Sequence, residues 1–394
     1  MKSVITKTIL LLSVVSLLAD VSSEMLYPVM PLFLQSIGFT AVMIGVFEGI
    51  AEAVAGLSKI YFGNLSDALG KRMPFVRTGY ALSGISKSMM ALFVFPAWIF
   101  AARSMDRLGK GLRTGARDAM LSDETMPDKK ATVFGFHRAM DTLGAAMGPA
   151  VALIWLHFHP GEYRVLFLLA FLPALLSIAL TFIIREKKLD RKIYPSGSFF
   201  EKFRYWNRSP ATFKKLMAGL LFFALINSTD LFLLLRAKEI TGSDQQVLTI
   251  YIFYNLVYAL AAFPAGRLAD RLGMKTMIVF GMVIFALVYF GMAITQNATI
   301  LFLLMAMYGI HAAATEGVAK ALISNVVPRE QTASAIGFYA GWNSIAALIS
   351  SSAAGLIWYN YSAEVMLLIT SLGAAAAAGY LRAIKIPNQP YNSM

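Results

Sequence analysis

The 394-residue chain contains no cysteine, so it can form no disulfide and offers no thiolate to a metal. Charge is scarce: 14% of the residues are Asp, Glu, Lys or Arg, against about 25% in soluble domains. The sequence has no H-E-x-x-H pair, no nucleotide-binding P-loop and no G-x-S-x-G elbow. These absences weigh against a membrane enzyme and leave no bound nucleotide or other cofactor to expect. Any uphill work would then draw on an ion gradient. Acidic residues are outnumbered, 22 against 35 Lys and Arg, for a net charge of +13. The basic residues do not spread over a surface as a nucleic-acid partner would require. They gather in a few connecting segments, the pattern of cytoplasmic loops.

What fills the chain is apolar. Hydrophobic residues make up 58% of it, in runs near the roughly 20 residues that cross a bilayer. The runs predict an all-α membrane protein with twelve transmembrane helices. The spans are 8–30, 41–62, 75–95, 97–121, 132–156 and 165–184 in the first half, and 216–236, 246–265, 277–295, 299–324, 333–357 and 364–383 in the second. Met1–Lys7 and the run after it resemble a signal peptide. No small-residue cleavage site follows, and the run continues through Asp20 and Glu24 to Pro28, so it reads as a retained first helix. Residues 185–215 hold ten Lys or Arg and three Asp or Glu and cannot span. They read as a cytoplasmic linker between bundles 1–184 and 216–394, with both termini cytoplasmic.

An internal repeat supports the division. Gly63, Asp67, Gly70 and Arg72 follow the second helix. Gly266, Asp270, Arg271 and Gly273 follow the eighth, at an offset of 203 residues. Gly135, Phe136 and Asp141 match Gly337, Phe338 and Asn343 at an offset of 202. Two pseudo-symmetric six-helix bundles make their interface, near mid-membrane, the default place for binding.

The loops at 63–72 and 266–275 resemble the G-x-x-x-D-R-x-G-R-R signature of the major facilitator superfamily, with Ala68 in place of the usual Arg in the first copy. Gly144, Gly148 and Pro149 resemble the G-x-x-x-G-P element of its antiporters, and Arg103 stands where the family often has an Arg. The resemblance implies a rocker-switch carrier whose cavity is lined by helices one, four, seven and ten. It also implies that Asp67 lies near the start of the eleventh helix, where free amides and the helix dipole favour an anion. Gly63, Asp67, Gly70, Arg72, Arg117, Gly266, Asp270, Arg271 and Gly273 are then a conformational lock. A single copy would fit a tight turn with a basic flank as well, but two copies favour the lock.

Charged residues inside the spans are the candidates for function. On the fourth helix Arg103, Asp106, Arg107, Lys110, Arg113, Arg117 and Asp118 fall within an arc of roughly 140°. Arg107, Lys110 and Arg113 occupy its middle. They read as a cationic site for substrate, or as partners in intramembrane ion pairs. Asp20 and Glu24, one turn apart on the first helix, fit a proton-coupling pair or counter-ions of those cations. His137 and Asp141 on the fifth helix form a second candidate for proton coupling, beside the plainer reading of His137 as structural. Gly144 and Gly148 read as helix packing. In the second half Asn227, Asp230, Tyr254, Asn255 and His311 are substrate-site candidates, and Glu316 is expected to pair with Lys320.

The expected function is secondary transport of a small anionic or zwitterionic organic solute, coupled to protons, in a bacterial inner membrane and by a monomer. Efflux of lipophilic compounds is the alternative. Metal transport through Asp20, Glu24, His137 and His311 comes third, and no resident metal is expected.

Overall fold

Eight helices of the described chain are long and apolar enough by themselves to cross a membrane. The computed structural model describes residues 4–27, 29–30, 33–34, 37–39, 41–186 and 205–386. The first half contains α1 (Lys7–Glu24), α2 (Ala41–Leu69), α3 (Met73–Leu92), α4 (Pro96–Asp123), α5 (Lys130–Phe158) and α6 (Tyr163–Ile183). The second contains α7 (Ala211–Ile226), α8 (Leu231–Thr241), α9 (Asp244–Leu272), α10 (Met274–Ile294), α11 (Ala298–Asn325), α12 (Thr332–Asn360) and α13 (Ala363–Ala383). The protein is an all-α, multi-pass membrane protein, and α7 and α8 together form the seventh span.

Helix ends follow local chemistry. Thr6, Ser243, Asn297 and Ser362 each accept a first-turn amide of the helix that follows. Gly70 and Gly273, 203 residues apart, both have positive φ, 63° and 99°. Side chains avoid that backbone region, so both loop motifs need glycine there.

Two expectations are adjusted. The seventh span begins at Ala211, inside the residues assigned to the linker, and a single helical turn precedes it at Tyr205–Arg208. The seventh span is also interrupted between Ile226 and Leu231. The first span has a matching feature. α1 stops at Glu24, and an i to i−4 bond returns from the Met30 amide to the Leu26 carbonyl. Glu24 and Asn227, the residue that caps α7, are 203 apart. Proline breaks or bends a helix, so Pro28 and Pro31 are expected to do so in the first span; both lie outside the described residues, as does 187–204 of the linker.

Packing repeats between halves. In the first, α1 packs on α6, α2 on α4, and α3 on α4 and α6. In the second, α7 packs on α13, α9 on α11, and α10 on α11 and α13. Lipid tails are as apolar as the helices, so close van der Waals fit, not water exclusion, holds such neighbours. Phe33 provides one such contact, edge-on to Phe167 with ring centroids 4.8 Å apart.

Two compact units divide the chain. Unit 1 comprises Met1–Glu124, Met140–Arg208 and Arg329–Gly341; unit 2 comprises Thr125–Ala139, Ser209–Pro328 and Trp342–Met394. The first residues of α5 thus group with the second half of the sequence, and those of α12 with the first.

Candidate functional site

The cationic face of α4 is built by close approach to α3. A Cβ at Gly79 would lie 2.7 Å from the Gly109 carbonyl oxygen, and one at Gly109 would lie 2.6 Å from that of Gly79. Without side chains there, α3 brings Tyr80, Ser83 and Lys87 against α4. Lys87, 2% exposed, donates to Asp106 Oδ1 at 2.5 Å, and Ser83 donates to the same oxygen at 2.6 Å. Arg103 reaches Asp106 Oδ2 at 3.6 Å. Arg107 pairs with Glu52 of α2 at 3.0 Å. Arg117 bonds Asp118 and the Ser16 hydroxyl of α1 at 2.9 and 2.7 Å, not the loop after α2. The sequence named neither Lys87 nor Glu52. Each was visible as an ionisable residue inside an apolar span, the signal that marks function or pairing in a membrane.

Arg113 and Lys110 differ from these neighbours, since no described carboxylate lies within 4.0 Å of either. The Arg113 guanidinium sits 4.2 Å above the Tyr80 ring, a cation–π arrangement. Its Nε and Nη1 are buried and have no hydrogen-bond partner among the described residues. Ser22, Tyr80, Ser83, Lys87, Arg113 and Ser177 line the adjoining space. A buried cation left this short of partners is costly unless something else supplies them.

Asp20 of α1 is within electrostatic range of Lys110 and Arg113, and also of Asp141 and Glu24. Glycines of α5 make this possible. A Cβ at Gly144 would lie 2.6 Å from the Leu17 carbonyl oxygen and 3.2 Å from Asp20 Cβ. One at Gly148 would lie 2.7 Å from the Met25 amide. Helix α5, which carries Pro149 within it, therefore runs against α1, with Asp141 one turn before Gly144. The structure brings Asp141 to Asp20. His137 is one turn earlier, buried, and belongs to unit 2.

In unit 2 the candidates gather at the gap in the seventh span. The Ser350 hydroxyl donates to the Asn227 carbonyl at 2.8 Å, and the Thr229 amide donates to Ser351 at 3.2 Å. Two α12 side chains thus stand in for backbone bonds that the gap removes. Tyr254 and Tyr308 donate to the two oxygens of Asp230, at 2.7 and 2.5 Å. Tyr308 was not foreseen from the sequence. Asn255 is buried and donates to the Tyr251 carbonyl of its own helix at 2.9 Å. His311 is also buried, with Nδ1 2.8 Å from the Gly281 carbonyl oxygen and its ring among Phe223, Phe285 and Tyr308. Glu316, which the sequence paired with Lys320, forms an ion pair with Arg138, which also donates to Tyr258 at 2.5 Å.

The two loop motifs are built alike. Asp67 accepts the Ser334 amide at 2.5 Å and the Ala333 amide at 3.4 Å, at the start of α12. Asp270 accepts the Thr132 amide at 2.8 Å and the Ala131 amide at 3.0 Å, at the start of α5. First-turn amides have no partner within their helix, and the helix dipole favours a carboxylate there. Gly63 packs on the Ala333 carbonyl and Gly266 on that of Ala131. The motifs differ in their cations. Buried Arg72 pairs with Asp67 at 2.5 Å, whereas Asp270 takes the Thr132 hydroxyl at 2.5 Å and Arg271 is exposed. The Glu186 carboxylate, absent from the sequence candidates, accepts the Arg72 and Met73 amides at 3.0 Å and so caps α3. Among the described residues no three His, Asp or Glu side chains are placed to hold a metal ion.

A family model described as Major Facilitator Superfamily matches residues 12–253 and 232–393. An uncharacterised MFS-type transporter of Methanocaldococcus jannaschii is 31% identical, over 90% of this chain and 89% of its own length. A multi-drug resistance efflux pump PmrA homolog of Lactococcus lactis is 22% identical over 86% of each chain. Among solved structures, the human organic anion transporter MFSD10 superposes with a TM-score of 0.82 at 14% identity, covering 95% of this chain and 98% of that one. At that identity the likeness concerns the fold.

Proposed function

The chain belongs to the Major Facilitator Superfamily, and on that footing we propose that it is a proton-coupled secondary carrier of a small anionic or zwitterionic organic solute. It works by alternating access between the bundles 1–184 and 211–394, joined by the basic linker 185–210. It is not an enzyme. It acts as a monomer in a bacterial inner membrane, with both termini cytoplasmic.

One observation carries the solute reading. Lys110 and Arg113 are the α4 cations with no described carboxylate in contact, and Asp20 of α1 is within electrostatic range of both, with Glu52 of α2 also in range of Lys110. While Asp20 is ionised it offsets their charge. When it is protonated, the two cations are left to an incoming carboxylate or phosphate, which an Arg fork can hold by two hydrogen bonds. Proton uptake and anion binding then favour each other. Asp141 shares the role with Asp20, because two neighbouring carboxylates hold a proton more readily than one alone. Glu24 and His137 lie to either side on the same two helices. Asp67 and Asp270, with their glycines, set the balance between cavity orientations. Each holds the first turn of a helix that must move when the cavity changes sides.

A second reading, proton-driven efflux of lipophilic compounds, has the Lactococcus lactis relative in its favour. Thermal-shift screening of purified protein separates the two. Stabilisation by small carboxylates, phosphates or zwitterions, followed by their uptake into proteoliposomes under a pH gradient, is the expected result. Stabilisation by lipophilic cations alone would replace the first reading by the second.

A further inference from the structure

We propose that Asp230, held by Tyr254 and Tyr308 at the gap in the seventh span, is a binding subsite for a positively charged nitrogen, so that the carried solute has an ammonium group. This rests on the carrier reading above and selects the zwitterion from its two solute classes.

Asp230 is an acid deep within a membrane span, and no described Lys or Arg lies within 4.0 Å of it. The cation within electrostatic range is Arg138, and Arg138 is already bonded to Glu316 and Tyr258. Asp230 and Glu316 thus both face the guanidinium of Arg138. Intramembrane acids are normally paired or face a ligand path.

Geometry adds a direction. Each Asp230 oxygen accepts one tyrosine hydroxyl, which fixes the carboxylate plane. A carboxylate has about four acceptor sites, so acceptor capacity remains on both oxygens. The rings that hold it are the kind that favour a cation over a neutral group. Tyr254 lies 5.4 Å from Tyr308 and 5.9 Å from Tyr251, centroid to centroid, and Phe285 lies 6.1 Å from Tyr308. Ser350 and Ser351 hold the gap open with side-chain bonds, so it is a built feature of the span. Asp230 itself is neither buried nor fully exposed, as a ligand-facing group should be.

The test uses choline and its uncharged carbon isostere, 3,3-dimethyl-1-butanol, in thermal-shift titrations of the purified full chain. The two have the same shape and differ in charge. Choline should stabilise the parent protein while the isostere does not. Asp230→Asn should weaken the choline response by about tenfold or more, since the quaternary nitrogen loses its counter-charge and keeps only its contacts with the rings. Equal responses to choline and the isostere in the parent would overturn the proposal, and that comparison needs no variant. So would an Asp230→Asn protein that binds choline like the parent but loses pH-driven transport, since Asp230 would then be a proton carrier. Titration with small carboxylates runs beside it. Carboxylate binding without choline binding sinks this inference alone, and choline binding without carboxylate binding sinks the anion site on α4 alone.

Discussion

Asp67 and Asp270 occupy matched loops but should not be equally sensitive to loss of charge. Asp67 is 5% exposed and its Arg72 partner fully buried. Neutralising Asp67 as Asn leaves a buried guanidinium without its counter-ion, a change that costs about 3–5 kcal/mol. Asp270 bonds two amides and one hydroxyl, with no cation in contact. Asn at that position keeps one acceptor oxygen, and the loss is that of weakened charge-assisted bonds, about 1.5–3 kcal/mol at most. Asp67→Asn should therefore destabilise more than Asp270→Asn, by about 2 kcal/mol. Unfolding titrations of the two variants in mixed detergent micelles read the difference. The double variant Asp67→Asn/Arg72→Gln should recover part of the loss, because no unpaired charge remains buried. Spin-label distances between the bundles should change for both single variants, with solute affinity in each orientation kept. Equal destabilisation, no recovery in the double variant and unchanged distances would together refute both the pairing argument and the locking role.

Three further outcomes follow from the same geometry. Arg113→Gln or Lys110→Gln should weaken binding of the identified anionic solute by about ten- to a hundred-fold, with Arg113→Lys a partial rescue because an ammonium lacks the planar fork; titration of folded variants that bind like the parent would make these residues structural. Gly144→Leu should part α5 from α1, since even a Cβ there would meet the Leu17 carbonyl oxygen at 2.6 Å; a loss of pH-driven uptake with the protein still folded would tie that contact to coupling, and full uptake would cut the tie. A single cysteine at Ser198, in the basic linker outside the described residues, should react with impermeant reagent only from the cytoplasmic side, and labelling from outside would reverse the topology.

The parts of this molecule that were legible in the sequence are those fixed by local pattern or by repetition. Apolar run lengths mark eight of the spans, from α5 onward, and the Gly-Asp-Gly spacing, seen twice, marked both loops that meet helix starts. Gly144 and Gly148 could be read as packing residues because a glycine stripe one turn apart has few other uses. What the sequence hid depends on which helix faces which. Counting only carboxylates of its own helix and of the first, the fourth helix looks strongly cationic. Lys87 and Glu52 come from α3 and α2, so the register of those helices decides how much of that charge is spent. Glu316 was expected to pair with Lys320 one turn on, yet Arg138 of α5 bonds it. The gap in the seventh span had a signal that hydropathy averages away. Asn227, Ser228, Thr229 and Asp230 are consecutive residues that compete for backbone hydrogen bonds.

The central claim is that an acid on α1 links proton movement to solute movement. Proteoliposomes containing Asp20→Asn protein test it most directly, with uptake of the identified solute measured under an imposed pH gradient and, separately, by exchange against solute loaded inside. The account predicts that gradient-driven accumulation disappears while exchange continues at near the parent rate. Full accumulation by the Asp20→Asn protein, at the same gradient and protein density, would contradict it.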